Sequence, residues 1–323
     1  MSNEKDRSLC AIGKFPYKAL NNKDFLQMVI NGYYRPLQAM IMPTNKCNLN
    51  CSFCCCDDRN INEELTFDDL TRLLHDLQSV GTKAITLTGG GDPTMHRDFE
   101  KIVLTARNMG FKIGLVTNGI KLKMFTEFPK DTFEWIRVSM GDGRNLENSI
   151  DILKNVNNWY ENGIVGYTGV SYVLTENPNK EVISCIANLV DSTNISYLKF
   201  IIDENICQKY TYEDLLPDVK SKKKIITPIY FESVNNEPCM LHWLKPIFAP
   251  DGFVYPCCEV QYNNDDKTKQ YRKDKKICNF DDYFKFINNK EKIPIMSCKK
   301  CFHTTMIRYL YSTYDNYIHS DWI

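Results

Sequence analysis

Between residues 37 and 202, short apolar runs rich in β-branched residues alternate with longer amphipathic stretches, and the alternation repeats six times. The runs are 37–42, 84–88, 112–117, 135–139, 164–174 and 196–202. Stretches with helical spacing separate most of them, beginning at Thr66 and continuing at 96–109, 144–162 and 178–192. Strands alternating with helices at this rhythm make βα units around a parallel sheet, so the fold class is α/β. The first of these helices is punctuated at both ends. Thr66 is an N-cap residue, Leu70, Leu73, Leu74 and Leu77 recur at helical spacing, and Gly81 closes the segment. Ligands of open α/β sheets collect where the strands end, which makes the strand-end residues the candidates for chemistry.

The run 37–42 leads directly into Lys46-Cys-Asn-Leu-Asn-Cys-Ser-Phe-Cys54, which sets Cys47, Cys51 and Cys54 at a C-x3-C-x2-C spacing. Three thiolates in one loop can hold a metal centre. A closed zinc or iron–sulfur site wants four protein ligands, so three leave one iron of a [4Fe–4S] cube open. A zinc knuckle is the alternative, because Cys55 and Cys56 follow directly. The second run ends in Gly89-Gly-Gly-Asp-Pro93, and glycine is required where backbone must come close to a ligand. Asn118 ends the third run, and Ser139 ends the fourth in Ile-Arg-Val-Ser-Met-Gly-Asp-Gly. Taken singly, each of these residues reads as a turn or a cap; their order at successive strand ends is the signal.

The cysteine spacing, with Phe53 just before the third cysteine, resembles the radical S-adenosylmethionine (SAM) superfamily. The resemblance implies a partial (βα)6 TIM-like barrel carrying a [4Fe–4S] cluster on Cys47, Cys51 and Cys54, with SAM on the open iron. In that family the reduced cluster passes an electron to SAM, and the resulting 5′-deoxyadenosyl radical takes a hydrogen atom from substrate. Gly90-Gly91-Asp92 is similar to the superfamily's GGE motif with Asp in place of Glu, which implies backbone contacts to the SAM amino group. By the same resemblance Asn118 lies at the cofactor, Ser139 meets the ribose and methionine portion, and Phe53 packs on adenine.

After about residue 205 the rhythm breaks, and Lys220-Ser-Lys-Lys-Lys224 reads as a solvated linker. The expected organisation is an N-terminal extension at 1–36 with a helix around 22–31, a barrel at 37–220, and a second domain at 221–323. That second domain is cysteine-rich, with an Asp251-Gly252 hairpin turn and a polar surface loop at 262–277. Its pattern Cys239-x12-Gly252-x4-Cys257, followed by Cys298-x2-Cys301, resembles the Twitch domain, a shortened relative of the SPASM domain. This implies an auxiliary [4Fe–4S] cluster fully ligated by Cys239, Cys257, Cys298 and Cys301. A four-cysteine zinc ribbon is the competing reading, and Cys278 is a substitute ligand. Cys258 directly follows one ligand. In related enzymes the hairpin faces the barrel mouth, which makes this thiol a candidate hydrogen-atom donor to a substrate radical.

The chain has 40 basic and 40 acidic residues, so no global field draws it to nucleic acid or a membrane surface. The basic stretches at 220–224 and 267–276 are the features that could serve a nucleic-acid-binding iron–sulfur or zinc protein, and 220–224 lacks interleaved aromatics. No export signal and no run of 18 apolar residues is present. Fourteen cysteines in such a chain are reduced thiols or metal ligands, and the expected location is cytoplasmic. The expected function is oxidation or epimerisation of a small molecule such as a sugar or cyclitol, with a flavodoxin- or ferredoxin-like electron donor. Maturation of a ribosomally made peptide is the alternative; residues 1–36 are short for the leader-binding domain of many such enzymes, which favours the small molecule. Lys199, on the sixth run, is a candidate base or carboxylate anchor.

Overall fold

Strand β1 (Gln38–Ile41) is parallel to a neighbour on each side, β2 (Ala84–Leu87) and β9 (Ile247–Phe248). From β2 the sheet runs in chain order through β3 (Lys112–Thr117), β4 (Trp135–Gly141), β5 (Thr168–Leu174), β6 (Tyr197–Ile202) and β7 (Lys224–Ile226), every pair parallel. Beyond β9 it continues antiparallel through β10 (Phe253–Tyr255) and β11 (Cys278–Asn279). The ends of this ten-stranded order, β11 and β7, do not pair with each other, so the sheet is a partial barrel. The computed structural model describes residues 21–288 and 300–301, with 32, 58, 143, 204–205, 208, 217–218, 220, 228–230, 233–238, 240 and 258–275 outside the description.

Helices α1 (Lys23–Asn31), α2 (Phe67–Ser79), α3 (Phe99–Asn108), α4 (Leu146–Glu161), α5 (Lys180–Asp191), α6 (Tyr212–Leu215) and α7 (Phe280–Asn288) supply the second layer. Thr66 caps α2 by accepting from Asp69 N at 3.1 Å, and Gly81 takes φ +80°, a left-handed conformation that costs glycine no Cβ clash. Alternation along the strands sets the faces. Ile136, Val138 and Met140 of β4 and Val170, Tyr172 and Leu174 of β5 are buried in one core with Leu153, Val156 and Trp159 of α4. Arg137 and Ser139 therefore face the barrel interior.

Two expectations change. The run 221–224 is no solvated linker: Ser221 Oγ and the amides of Lys222 and Lys223 all donate to the Asp191 carboxylate, at 2.7–3.2 Å, and Lys224 begins β7. Lysine-rich composition pointed to solvent, but backbone amides gathered on one carboxylate pin the segment to the end of α5. Nor does the sheet stop at 220. Trp243, Phe248, Val254 and Tyr283 share the barrel's core, and β7 and β9 extend its wall at either end. At the other terminus α1 packs as anticipated, with Phe25 and Met28 buried and Asp24 bonded to Lys83 at 2.6 Å.

Core burial has a pH consequence at His242, which is fully buried between Trp243 and Phe286. Burial holds its imidazole down to about 3, against a smaller upward pull from the Cys239 backbone. The unfolded chain therefore binds this proton below about pH 6.5 while the folded chain does not until near 3. Stability from this group is complete above pH 6.5 and falls by up to about 1.4 kcal/mol per pH unit below it. Urea unfolding at pH 7 and pH 5 should show this loss, and a His242→Phe variant should show a smaller one. Equal pH slopes for the two proteins would exclude His242 as the cause.

Candidate active site

The cysteine loop leaves the C-terminal end of β1 and is held from both sides. Its return limb is bonded by Thr44 Oγ1 to Glu64 at 2.8 Å, by Asn45 Nδ2 to Glu63 at 3.0 Å and by the Lys46–Glu64 ion pair at 2.9 Å. Across the loop, Arg59 donates to the carbonyls of Asn45 and Cys56 at 2.9 and 2.6 Å and to Cys54 Sγ at 3.5 Å.

The Gly89–Asp92 turn after β2 is docked on the start of this loop. Gly91 N donates to Thr44 O at 3.3 Å and Asp92 N to Lys46 O at 2.8 Å. A Cβ on Gly91 would lie 2.1 Å from Lys46 O, and one on Gly90 would lie 2.2 Å from Asn45 Oδ1. Gly91 is thus required by the approach of one loop's backbone to the other's, whatever ligand is present, whereas Gly90 makes room for the Asn45 side chain.

Asp92 is buried, and its carboxylate accepts from Thr94 N at 3.0 Å, from the Thr94 hydroxyl, from Thr117 Oγ1 at 2.9 Å and from Asn118 N at 2.6 Å. The acid that the motif places beside a ligand is here spent on tying the ends of β2 and β3 together. Asp142 performs the same service for β4 and β5, accepting from Tyr172 Oη at 2.6 Å, Thr175 Oγ1 at 2.6 Å and Asn179 N at 3.0 Å.

Asn118 bridges the Asp92 clasp to the thiols, donating Nδ2 to Asn48 Oδ1 at 2.7 Å with Cys47 Sγ at 3.8 Å. Arg144 donates Nη1 to Asn118 O at 2.9 Å, and its Nε is buried with no hydrogen-bond partner among the described residues. Burial pulls the Arg144 guanidinium below its ordinary value, while the charges of Cys51, Asp92 and Cys47 pull it back up. Burial likewise raises the Cys51 and Cys54 thiols; Arg144 and Arg59 oppose this at Cys51, and the Cys56 backbone and Arg59 at Cys54. Phe53 lies against Gly141 at the end of β4, where a Cβ would fall 2.4 Å from its ring, and half-buried Ser139 stands just below on the inner face.

Cys47, Cys51, Cys54, Phe53, Gly90, Gly91, Asp92, Asn118 and Ser139 are thus all at the mouth formed by the ends of β1–β4. Among the described residues no three metal-binding side chains are drawn together closely enough to hold an ion. The donor set nonetheless fits a [4Fe–4S] cluster: three free, half-buried soft thiols on one clasped loop, with two guanidinium groups beside them to offset thiolate charge. The sequence reading missed Arg59 and Arg144; no spacing marks them, and a position after a strand end was the one available cue.

The second cysteine set is described in part. Cys239 and Cys257 are half-buried thiols, and Cys257 packs beside Met42, Ile247 and Tyr255 on the inner side of β1 and β9. Cys301 lies in β12 (Lys300–Cys301), paired with β8 (Phe231–Glu232) upstream of Cys239. Cys258 and Cys298 lie outside the described residues.

The family profile of the radical SAM superfamily matches residues 41–184, from the last residue of β1 into α5. Residues 41–184 are a radical SAM domain. The radical SAM domain has relatives of several activities. A 7,8-dihydro-6-hydroxymethylpterin dimethyltransferase of Methanocaldococcus jannaschii is 40% identical over 90 residues, 26% of this chain and 18% of that protein. An S-adenosylmethionine-dependent nucleotide dehydratase of Selenomonas ruminantium is 27% identical over 236 residues, 71% of this chain and 79% of that protein. Among solved structures, Streptococcus suis SuiB bound to its precursor peptide SuiA matches with a TM-score of 0.56 and 16% identity, over 83% of this chain and 70% of that one. This last likeness is one of fold.

Proposed function

We propose that the protein is a radical SAM enzyme that removes a hydrogen atom from a small-molecule substrate and so oxidises, dehydrates or epimerises it. The observation that carries this reading is the clasp at the barrel mouth, where the three-thiol loop, the glycine turn, Asn118 and Arg144 are bonded into one unit. Cys47, Cys51 and Cys54 would hold a [4Fe–4S] cluster, which would supply the electron for reductive cleavage of SAM and so the means of taking a hydrogen atom from a substrate C–H bond.

The chain's own residues do the rest. Cys47, Cys51 and Cys54 bind, and the loop's ties to Glu63, Glu64 and Arg59 fix where they stand. The backbone of Gly90 and Gly91, Ser139 and Phe53 orient SAM, while Arg144 places positive charge beside the thiolates. Cys239, Cys257, Cys298 and Cys301 would hold the auxiliary cluster, and Cys258 would return a hydrogen atom from its Sγ in the epimerising version. A flavodoxin- or ferredoxin-like protein would supply the electron.

A small molecule is favoured over a peptide because the Selenomonas dehydratase, named for a nucleotide substrate, aligns across most of both chains, whereas the likeness to SuiB concerns fold. The test is anaerobic reconstitution, iron and sulfide counting, and mass spectrometry for 5′-deoxyadenosine after adding dithionite and SAM. About eight irons with 5′-deoxyadenosine formed is the expected result for two clusters. About four irons with one zinc would remove the auxiliary cluster from the reading. No iron and no SAM cleavage would overturn it.

A further inference from the structure

The inner faces of β4, β5 and β6 carry two cations and no carboxylate. Outward residues on these strands are packed under helices, which leaves Arg137 and Ser139, Gly169 and Ser171, and Tyr197 and Lys199 facing the interior. The register aligns Ser139, Ser171 and Lys199 in one row across the three strands, with Arg137 one step lower, opposite Gly169. Beneath the row lies an aromatic floor. Trp135 covers Gly114 and Tyr197 covers Gly169, so closely that a Cβ on these glycines would lie 2.3 and 2.1 Å from the rings. Arg137 donates to the Tyr197 hydroxyl, stands 6.0 Å from the Trp135 ring, and buries an Nε that has no hydrogen-bond partner among the described residues.

A guanidinium held on such a floor, with its Nε unpartnered among the described residues and no acid on these strands' inner faces, is costly unless an anion completes it. Ser171 and Lys199 lie on β5 and β6, beyond the strands β1–β4 that carry the residues assigned to SAM, and Arg137 and Ser139 on β4 stand at the border between the two groups. Neighbouring strands are about 4.8 Å apart and residues rise about 3.3 Å along each, so Arg137 and Lys199, two strands and one pleat repeat apart, stand about 12 Å apart, with Ser171 on the strand between them. That span suits a chain of phosphates better than one carboxylate.

We infer that this face binds the phosphate chain of a phosphorylated small-molecule substrate, Arg137 and Lys199 taking its terminal oxygens and Ser171 donating between them. The inference deepens the proposed function and rests on its placing substrate in the barrel. The test is anaerobic titration calorimetry on the reconstituted protein with ribonucleoside triphosphates, the matching nucleosides, tripolyphosphate, glucuronate and SAM. At least one triphosphate should bind tenfold or more tighter than its nucleoside, and tripolyphosphate should displace it. Arg137→Gln and Lys199→Gln should each weaken triphosphate binding about tenfold, with Arg137→Lys retaining part of it and SAM binding unchanged within twofold. Higher salt should weaken the triphosphate selectively.

Equal binding of nucleosides and triphosphates, or variants that bind triphosphate like the parent, would overturn the inference. So would glucuronate competing as well as tripolyphosphate, which would reassign the face to a carboxylate. Should Arg137→Gln lose its circular-dichroism signature, Lys199→Gln and the competition on the parent protein decide the matter alone. SAM binding and cleavage without a phosphate preference would sink this inference and leave the radical reading standing. Phosphate preference in a protein that holds no iron would do the reverse.

Discussion

Replacing Cys47, Cys51 and Cys54 together by alanine is expected to remove about four irons per chain from the reconstituted protein. Formation of 5′-deoxyadenosine should fall about 10³-fold or more, equivalent to at least about 4 kcal/mol of lost barrier reduction. The size of the effect follows from the ligand set: all three thiols belong to one loop, and their removal leaves only Cys55 and Cys56 there, too few for a three-thiolate site. Cys55→Ser with Cys56→Ser is the control. Cys56 is buried and its carbonyl already accepts from Arg59, so this variant should keep its iron. Iron analysis, the EPR signal of the reduced cluster and product mass spectrometry check the set. Loss of zinc rather than iron in the triple variant, shared by the Cys55/Cys56 control, would make the loop a zinc knuckle.

Asp92→Ala is expected to destabilise the protein by about 3 kcal/mol or more and to weaken SAM binding along with it. Four donors converge on this buried carboxylate from Thr94, Thr117 and Asn118, and truncation strands several of them without water. Each stranded buried donor costs about 1–3 kcal/mol. Asp92→Asn keeps the volume but turns one acceptor into a donor facing donors, so its loss should lie between alanine and the parent. Because Asn118 N is one of those donors, and Asn118 in turn holds Asn48 and neighbours Cys47, the damage should reach the cysteine loop. Urea unfolding of the metal-free protein and SAM titration of the reconstituted one separate the two effects. Stability within about 0.5 kcal/mol of the parent, with SAM binding lost, would mean that the carboxylate serves the ligand and not the fold.

The departure of this acid from the superfamily's glutamate then has a physical reason. An aspartate reaches Thr117 Oγ1 and Asn118 N at 2.9 and 2.6 Å from a turn already pressed against the cysteine loop. One more methylene would have to be accommodated inside that packed clasp, and overpacking of this kind costs about 1–3 kcal/mol.

The alternation of β-branched runs with helical spacing determined the parallel α/β sheet on its own, because side-chain periodicity and turn glycines are local properties. Thr66 and Gly81 were readable for the same reason, as was the Asp251-Gly252 turn, where Gly252 takes φ +80° between β9 and β10. Strand-end residues were also legible, since most follow their own strand by a few positions; Ser139, expected at the end of its run, lies inside β4, which continues to Gly141. What the sequence could not show is which groups meet across chain distance. That β9 would lie beside β1, over two hundred residues away, depends on a shared core of Trp243, Phe248 and Tyr283 that no local pattern encodes. The lysines at 222–224 looked solvated because composition reports side chains, whereas their placement is set by backbone amides that find Asp191. Arg137, Arg144 and the two aspartate clasps belong to this second class. Their roles come from burial and from partners 25 to 60 positions distant, which only the packed tertiary structure brings within hydrogen-bonding range.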